Sequence, residues 1–474
     1  MKLSAALLFF FLFFATFIAQ ENNRIVAVGD SLVGKLINGE SIRELHGNVV
    51  MTQGAVRITC DTAIQNLAKN EAELIGNVVV TQDSIVIKTV RGYYFGNSKI
   101  AFSNNGIDLT DGHLRLHSKS GYYYFDEKRS YFYDQVKLKE GVSNLFASRL
   151  NYFDDEDKVI AGGNVIVSDT SSTMLADSLI YFRNSKNTFA FNNIRIYNSK
   201  DRIALFGERL EDVGQNKYSK IWDNPFFARI DTTSDGQLDT LMVSAMLMEA
   251  FDDSSQKIVV TDSVKILKTG FASSNNHTFF FRANDEIHTF KREGDELPPV
   301  IWSDETQLSG DSVFIFIKDS RLTRINLNSN AVIISEHKDK QYRFDQISGK
   351  SVKIFIENGE IVLTDVTGNV LSIYYVYDEE EPNGLVKSSS ESAKIYFENG
   401  EVQDVRLYGK PATEYHPENL LEGKEKEFTI PSFKIFTNKP TKEELLRRNK
   451  KVLYFLTKDS AYYAEKFNLT ERKP

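Results

Sequence analysis

"GNVVMTQ", Gly47–Gln53, returns 29 positions later as "GNVVVTQ", Gly76–Gln82. So short a period in a long chain is the mark of one structural unit stacked on itself. Stepping by 29 from Val49 reaches Val78, Ile107, Val136, Val165 and Ile194, all β-branched and apolar. Two residues further on stand Met51, Val80, Leu109, Leu138, Val167 and Ile196, while the position between varies through Val50, Val79, Asp108, Lys137, Ile166 and Arg195. This alternation places one strand face in a core and leaves the other free to meet water. Because Val49-Val50 and Val78-Val79 are apolar on both faces, the pattern alone leaves the inward face open.

Ahead of each strand sits turn chemistry: Gly47-Asn48, Gly76-Asn77, Asn105-Gly106, Asp134-Gln135, Gly163-Asn164 and Asn192-Asn193. Such residues tolerate left-handed backbone. Nine positions after the first anchor a second strand is predicted through Ile58, Ile87, Leu116, Leu145, Met174 and Ile203, and sixteen positions after it runs a tyrosine ladder, Tyr94, Tyr123, Tyr152 and Tyr181. Gln65 and Leu210 replace the tyrosine in the end units, as capping repeats commonly do. Beyond Glu211 the strict count fails, but "GDSVFIFI" from Gly310, "GKSVKIFIENGE" from Gly349 and "SESAKIYFENGE" from Ser390 keep the same strand, turn, strand style.

Composition agrees with a β-rich chain: 12% aromatic residues, only 9 prolines, and short Val, Ile, Phe and Tyr runs punctuated by Gly, Asn, Asp and Ser. The first residues, "MKLSAALLFFFLFFATFIAQENN", set a lysine before an apolar run of signal-peptide length and then small or polar residues. We expect cleavage near Ala19 or Gln20 and export. One cysteine, Cys60, excludes an intramolecular disulfide. The formal charge of −8 gives no basic footprint for nucleic acid, and Arg447, Arg448, Lys450 and Lys451 read as a solvated face.

Catalytic signatures are missing. The seven histidines are scattered; His113 and His117, four apart on an expected strand, have no Cys or carboxylate set beside them. No HExxH, GxSxG, GxxxxGK(S/T) or GxGxxG occurs. Asp61 and Asp177 share a repeat position, yet Val90, Lys119 and Ser148 fill it in the units between, so a turn role is expected in place of a carboxylate row. Neither enzyme activity, cofactor nor metal is expected.

The "GNV" strand starts, "CDTA" (Cys60–Ala63), "ADSLIYF" (Ala176–Phe182), "DSVFIFI" and "GNVLSIYY" resemble the OstA-like family, best over 25–210 and 300–410. That family includes periplasmic bridge proteins of lipopolysaccharide transport and the periplasmic domain of the outer-membrane translocon. The resemblance implies an all-β fold, an elongated open antiparallel β-jellyroll whose interior holds acyl chains. It further implies lipopolysaccharide and other transport components as partners, the latter by strand-edge pairing, with head-to-tail self-association and a periplasmic location. The expected organisation is a signal peptide over 1–20, a first OstA-like domain over 21–230, a less regular β connection over 231–300, a second OstA-like domain over 301–438, and a charged, partly helical tail over 439–474. The candidate trough is Val49, Met51, Ile58, Val78, Val80, Ile87, Ile107, Leu109, Leu116, Val136, Leu138, Leu145, Val165, Val167 and Met174, residues that would equally line an ordinary β-core. An exported β-solenoid scaffold or adhesin with a closed core is the alternative; a polysaccharide-processing β-helix and an outer-membrane barrel fit the pattern less well.

Overall fold

The computed structural model describes residues 24–447, apart from 233–235, 319–320, 338–339, 341 and 379–380. The expected signal peptide and all of the tail beyond Arg447 lie outside the described residues. Among the described residues, thirty-two strands, three short 3-10 turns and one helix, Lys442–Leu446, make up the regular structure. Every pairing is antiparallel, and most join strands that follow one another in the chain. An all-β antiparallel jellyroll is therefore the fold, with α-helix among the described residues confined to Lys442–Leu446. Two compact units divide the chain: one is Met1–Gly141 with Ser148–Asp155, the other Val142–Ala147 with Glu156–Pro474.

The residues read as turns before each strand do something else. Strand Glu71–Gln82 is continuous through Gly76 and Asn77, whose φ angles are +74° and +45°. Its pairing with Val56–Asn66 and with Ile85–Phe95 breaks register at that doublet. Two left-handed residues thus oppose one, a bulge at which a strand can pass from one sheet layer to another. The same left-handed doublet occurs at Gly47/Asn48, Asp134/Gln135, Gly163/Asn164 and Asn192/Asn193, and again beyond the strict period at Asp262/Ser263, Ser329/Asn330 and Gly368/Asn369. Only Asn105-Gly106 differs: there the backbone breaks into separate strands, Ile100–Ser103 and Ile107–Thr110. The true hairpin turns fall elsewhere, for example between Gln53 and Val56 and between Gln82 and Ile85.

Each corner in three units is pinned in one way. Asn77 Nδ2 donates to Asp61 Oδ2 at 2.9 Å, Asn48 to Asp30 at 2.9 Å and Asn193 to Asp177 at 2.8 Å. Asn330 repeats the bond with Asp311 at 2.8 Å. Asp61 and Asp177 are thus corner residues.

In the second unit both layers close on shared cores. One gathers Val243, Val264 and Ile266 with Leu210, Ile221, Met248 and Val260; the next gathers Ile301, Leu308 and Ile347 with Val313, Leu327, Val352 and Val366. Strands through 231–300 continue the arrangement, from Leu238–Ser244 to Val300–Ser303. On the opposite face of those strands lies an extended strap, residues 418–446. Buried Gln346 accepts from Ile430 N (2.9 Å) and donates to Phe428 O (3.1 Å); buried Gln307 accepts from Phe436 N and donates to Lys434 O, both at 2.8 Å. Each side-chain amide pairs with residues two apart, as a neighbouring strand's backbone would. Leu421 and Ile430 fill one end of the covered face beside Tyr375 and Leu385, and Leu445 packs among Tyr197, Phe206, Phe226 and Met242.

Candidate lipid-binding interior

Inward-facing residues meet their neighbours directly across the strands. In the first unit the chain of partners runs Met51, Ile58, Val80, Ile87, Leu109, Leu116, Leu138. The 29-residue period and the seven-residue offset across each hairpin are the cause, since together they return the same side chains to the same level at every second strand. Val49, Val78, Ile107 and Val136 sit one step towards the corner, also buried. Tyr94 crosses the interior to donate from its hydroxyl to Gln53 Oε1 at 2.6 Å. Burial pushes the Tyr94 and Tyr123 hydroxyls well above the usual tyrosine range, so both remain neutral donors.

In the second unit the partners run Val167, Met174, Ile196, Leu205, Phe227, Val243, Ile266. Ile203 lies in a strand as expected, Ile203–Val213, but is not the partner of Ile196. Ile196 pairs with Leu205, while Ile203 pairs with Asn198, because this hairpin loop is two residues longer than its predecessors. Sequence reasoning stopped at this point; the row continues through Ile301, Leu308, Ile333 and Ile347, whose signal was plain alternation without the period.

Of the fifteen candidate residues, thirteen are no more than 5% exposed, Leu145 and Val165 among them. Val167 and Met174 are half-buried, and so are the next members of their row, Ile196, Leu205 and Phe227. The first unit's row is thus packed shut, whereas the second unit's begins with five consecutive apolar side chains that solvent reaches. A filled β-core has no need of such a stretch, and water contact there carries an energetic cost.

Polar groups offer no competing centre. His113 lies in the turn before strand Leu114–Ser118, so it does not share that strand's face with His117, whose Nδ1 is 2.8 Å from Asp108 Oδ1. No group of three or more His, Cys, Asp or Glu able to hold a metal occurs among the described residues. A hollow of about 370 Å³ opens on the first unit beside Lys88, Asp108, His117 and Lys139, with Leu109 and Leu116 of the row also lining it. Cys60 is buried and burial raises its thiol pKa to about 11. No described helix is long and apolar enough to cross a membrane.

These features define a class: an antiparallel β protein in which each of the two units has an apolar interior. Residues 25–113 and 147–293 match the family model of the OstA-like protein, and over those residues the chain is OstA-like. Eighteen chains of solved structures match. One is LptH from Pseudomonas aeruginosa, described as the LptA-homologous periplasmic component of the conserved lipopolysaccharide transport device. It is 18% identical, the match covering 30% of this chain and 85% of that one with a TM-score of 0.16. No curated protein matches in sequence.

Proposed function

We propose that this protein is a non-enzymatic periplasmic carrier that shields the acyl chains of lipopolysaccharide on their way to the outer membrane. The observation that carries the reading is the apolar cross-strand row, with its solvent-reached stretch from Val167 to Phe227. The OstA-like match supports it. Each methylene exposed to water costs about 0.8 kcal/mol, so one chain of a dozen carbons in the open costs about 10 kcal/mol. A row of like side chains offsets that cost at every level and leaves no level much deeper than the next, which favours passage over trapping.

Transport components or further copies would join by strand addition. Strand Ser31–Ile37 pairs on one side only among the described residues, with Glu40–Gln53, and exposes Leu32, Val33 and Leu36. The second reading, a closed scaffold, draws on the thirteen tightly buried ladder residues. Photo-crosslinking separates the two. A probe at Met174 or Val167 should capture lipopolysaccharide in preference to a phospholipid control, with a weaker yield at Val80 and Leu109. A folded protein that gives no adduct at any of the four positions is a scaffold.

A further inference from the structure

Within the second unit's apolar interior one strand breaks the rule. The inward positions of Lys257–Lys268 are Val260, Val264 and Ile266; their partners on Phe271–Phe281 are Thr278, Asn275 and Ser273. Thr278 is in turn paired with Thr289, and Thr289 with Val313. Four polar side chains therefore form a belt at one level of the interior, each less than a tenth exposed. The belt falls between two of the cores of this unit, one that includes Val264 and Ile266 and one that includes Ile301 and Val313.

Three of the four satisfy one another. Thr278 Oγ1 donates to Asn275 Oδ1 at 2.7 Å, and Asn275 Nδ2 donates to Ser273 Oγ at 3.2 Å. Thr289 Oγ1 has no partner, although the residue is only 3% exposed. Valine has the same shape and stands next in the row at Val313, so packing alone gives no reason for a hydroxyl here. A ligand that suits the place is apolar above and below and carries one group that both gives and takes a hydrogen bond. The cross-strand partners of the belt are Val260, Val264, Ile266, Ile301 and Val313, none of them a cation, so a buried carboxylate is disfavoured there.

We propose that the belt of Ser273, Asn275, Thr278 and Thr289 is a hydrogen-bonding station for a hydroxyl group borne on an acyl chain. The proposal rests on the interior being an acyl-binding site and adds selectivity to it: hydroxylated chains are held at this level, and plain chains pass it with a buried polar group unanswered.

The test uses the full mature chain with two probes, tetradecanoic acid and its 3-hydroxy derivative, each displacing a fluorescent fatty acid. The wild type should bind the hydroxy acid about fivefold more tightly, the worth of one net hydrogen bond. Thr289→Val should bind both acids equally and melt no lower than the parent. Thr289→Ser should restore the preference. Equal binding of the two acids by the wild type, or a preference that persists in Thr289→Val, overturns the belt and leaves acyl binding standing. Binding of neither acid by folded protein overturns acyl binding, and the belt with it.

Discussion

Asn77 Nδ2 lies 2.9 Å from Asp61 Oδ2, and this one contact pins the point where strand Glu71–Gln82 changes layer. Gly76 makes room for it: a Cβ there would stand 2.3 Å from the same carboxylate oxygen, on a residue whose φ is +74°. Gly76→Ala should lower stability by about 2 kcal/mol or more, from left-handed strain and a displaced carboxylate. Asp61→Ala alone should cost about 1 kcal/mol. The combined variant should be less damaging than the two costs added. Urea unfolding of the three variants measures this, and strict additivity would show that the glycine is needed for its backbone angle alone.

The strap gives a second prediction. Replacing Gln346 or Gln307 by Leu leaves an N–H and a C=O of the strap without partners, at about 1–3 kcal/mol for each group that stays buried. Limited trypsinolysis should then cut after Lys434 at least tenfold faster, a factor that corresponds to about 1.4 kcal/mol of lost docking. Unchanged cleavage would mean that the strap is held by Leu421, Ile430 and Leu445 and not by the glutamines.

Cys60 supplies a pH dependence. Burial, the largest influence, raises its thiol from 9.0 to about 11. The native state therefore keeps a proton that the unfolded chain gives up, so the contribution is complete below pH 9 and is lost as pH climbs towards 11. Buried Tyr94 and Tyr123, also raised, push in the same direction at higher pH. The melting temperature should fall on the alkaline side, and Cys60→Ala should fall less between pH 9 and 11. At neutral pH the thiol should resist iodoacetamide until urea unfolds the protein; ready labelling of native protein would contradict its burial.

Tyr94→Phe tests the bond across the interior. The ring's edge-on contact with Phe125, 5.8 Å between centroids, is preserved while the donor to Gln53 is removed. A loss of about 1 kcal/mol in chemical denaturation is expected. A neutral result would assign the work at this position to the ring.

Much of this was legible because the period is written in side chains that must face one way. Val49 to Ile194 and Met51 to Ile196 announced the strands, their alternation and the array. What escaped was backbone geometry. Gly47-Asn48 and its successors carry turn chemistry, and from residues alone a left-handed doublet inside a strand looks like one between strands. Loop length escaped too: two added residues between Asn198 and Ile203 moved the inward role to Leu205. The strap was unreadable, since Gln307 and Gln346 are ordinary polar residues until a backbone 80 or more positions away comes to lie against them. Half-burial of Val167 and Met174, against complete burial of their equivalents in the first unit, is set by three-dimensional neighbours and leaves no mark on the repeat.

The corner has a consequence for how such a protein changes in size. Each 29-residue unit brings its own bend, and in several units its own Asp–Asn pin, so adding a copy demands no redesign of the joint. One copy lengthens its stack by two strands, about 9–10 Å. The bend therefore acts as a ruler's division: the distance covered becomes a matter of counting, and a gene duplication inside the array is the smallest step by which reach can be altered while the cross-section stays the same.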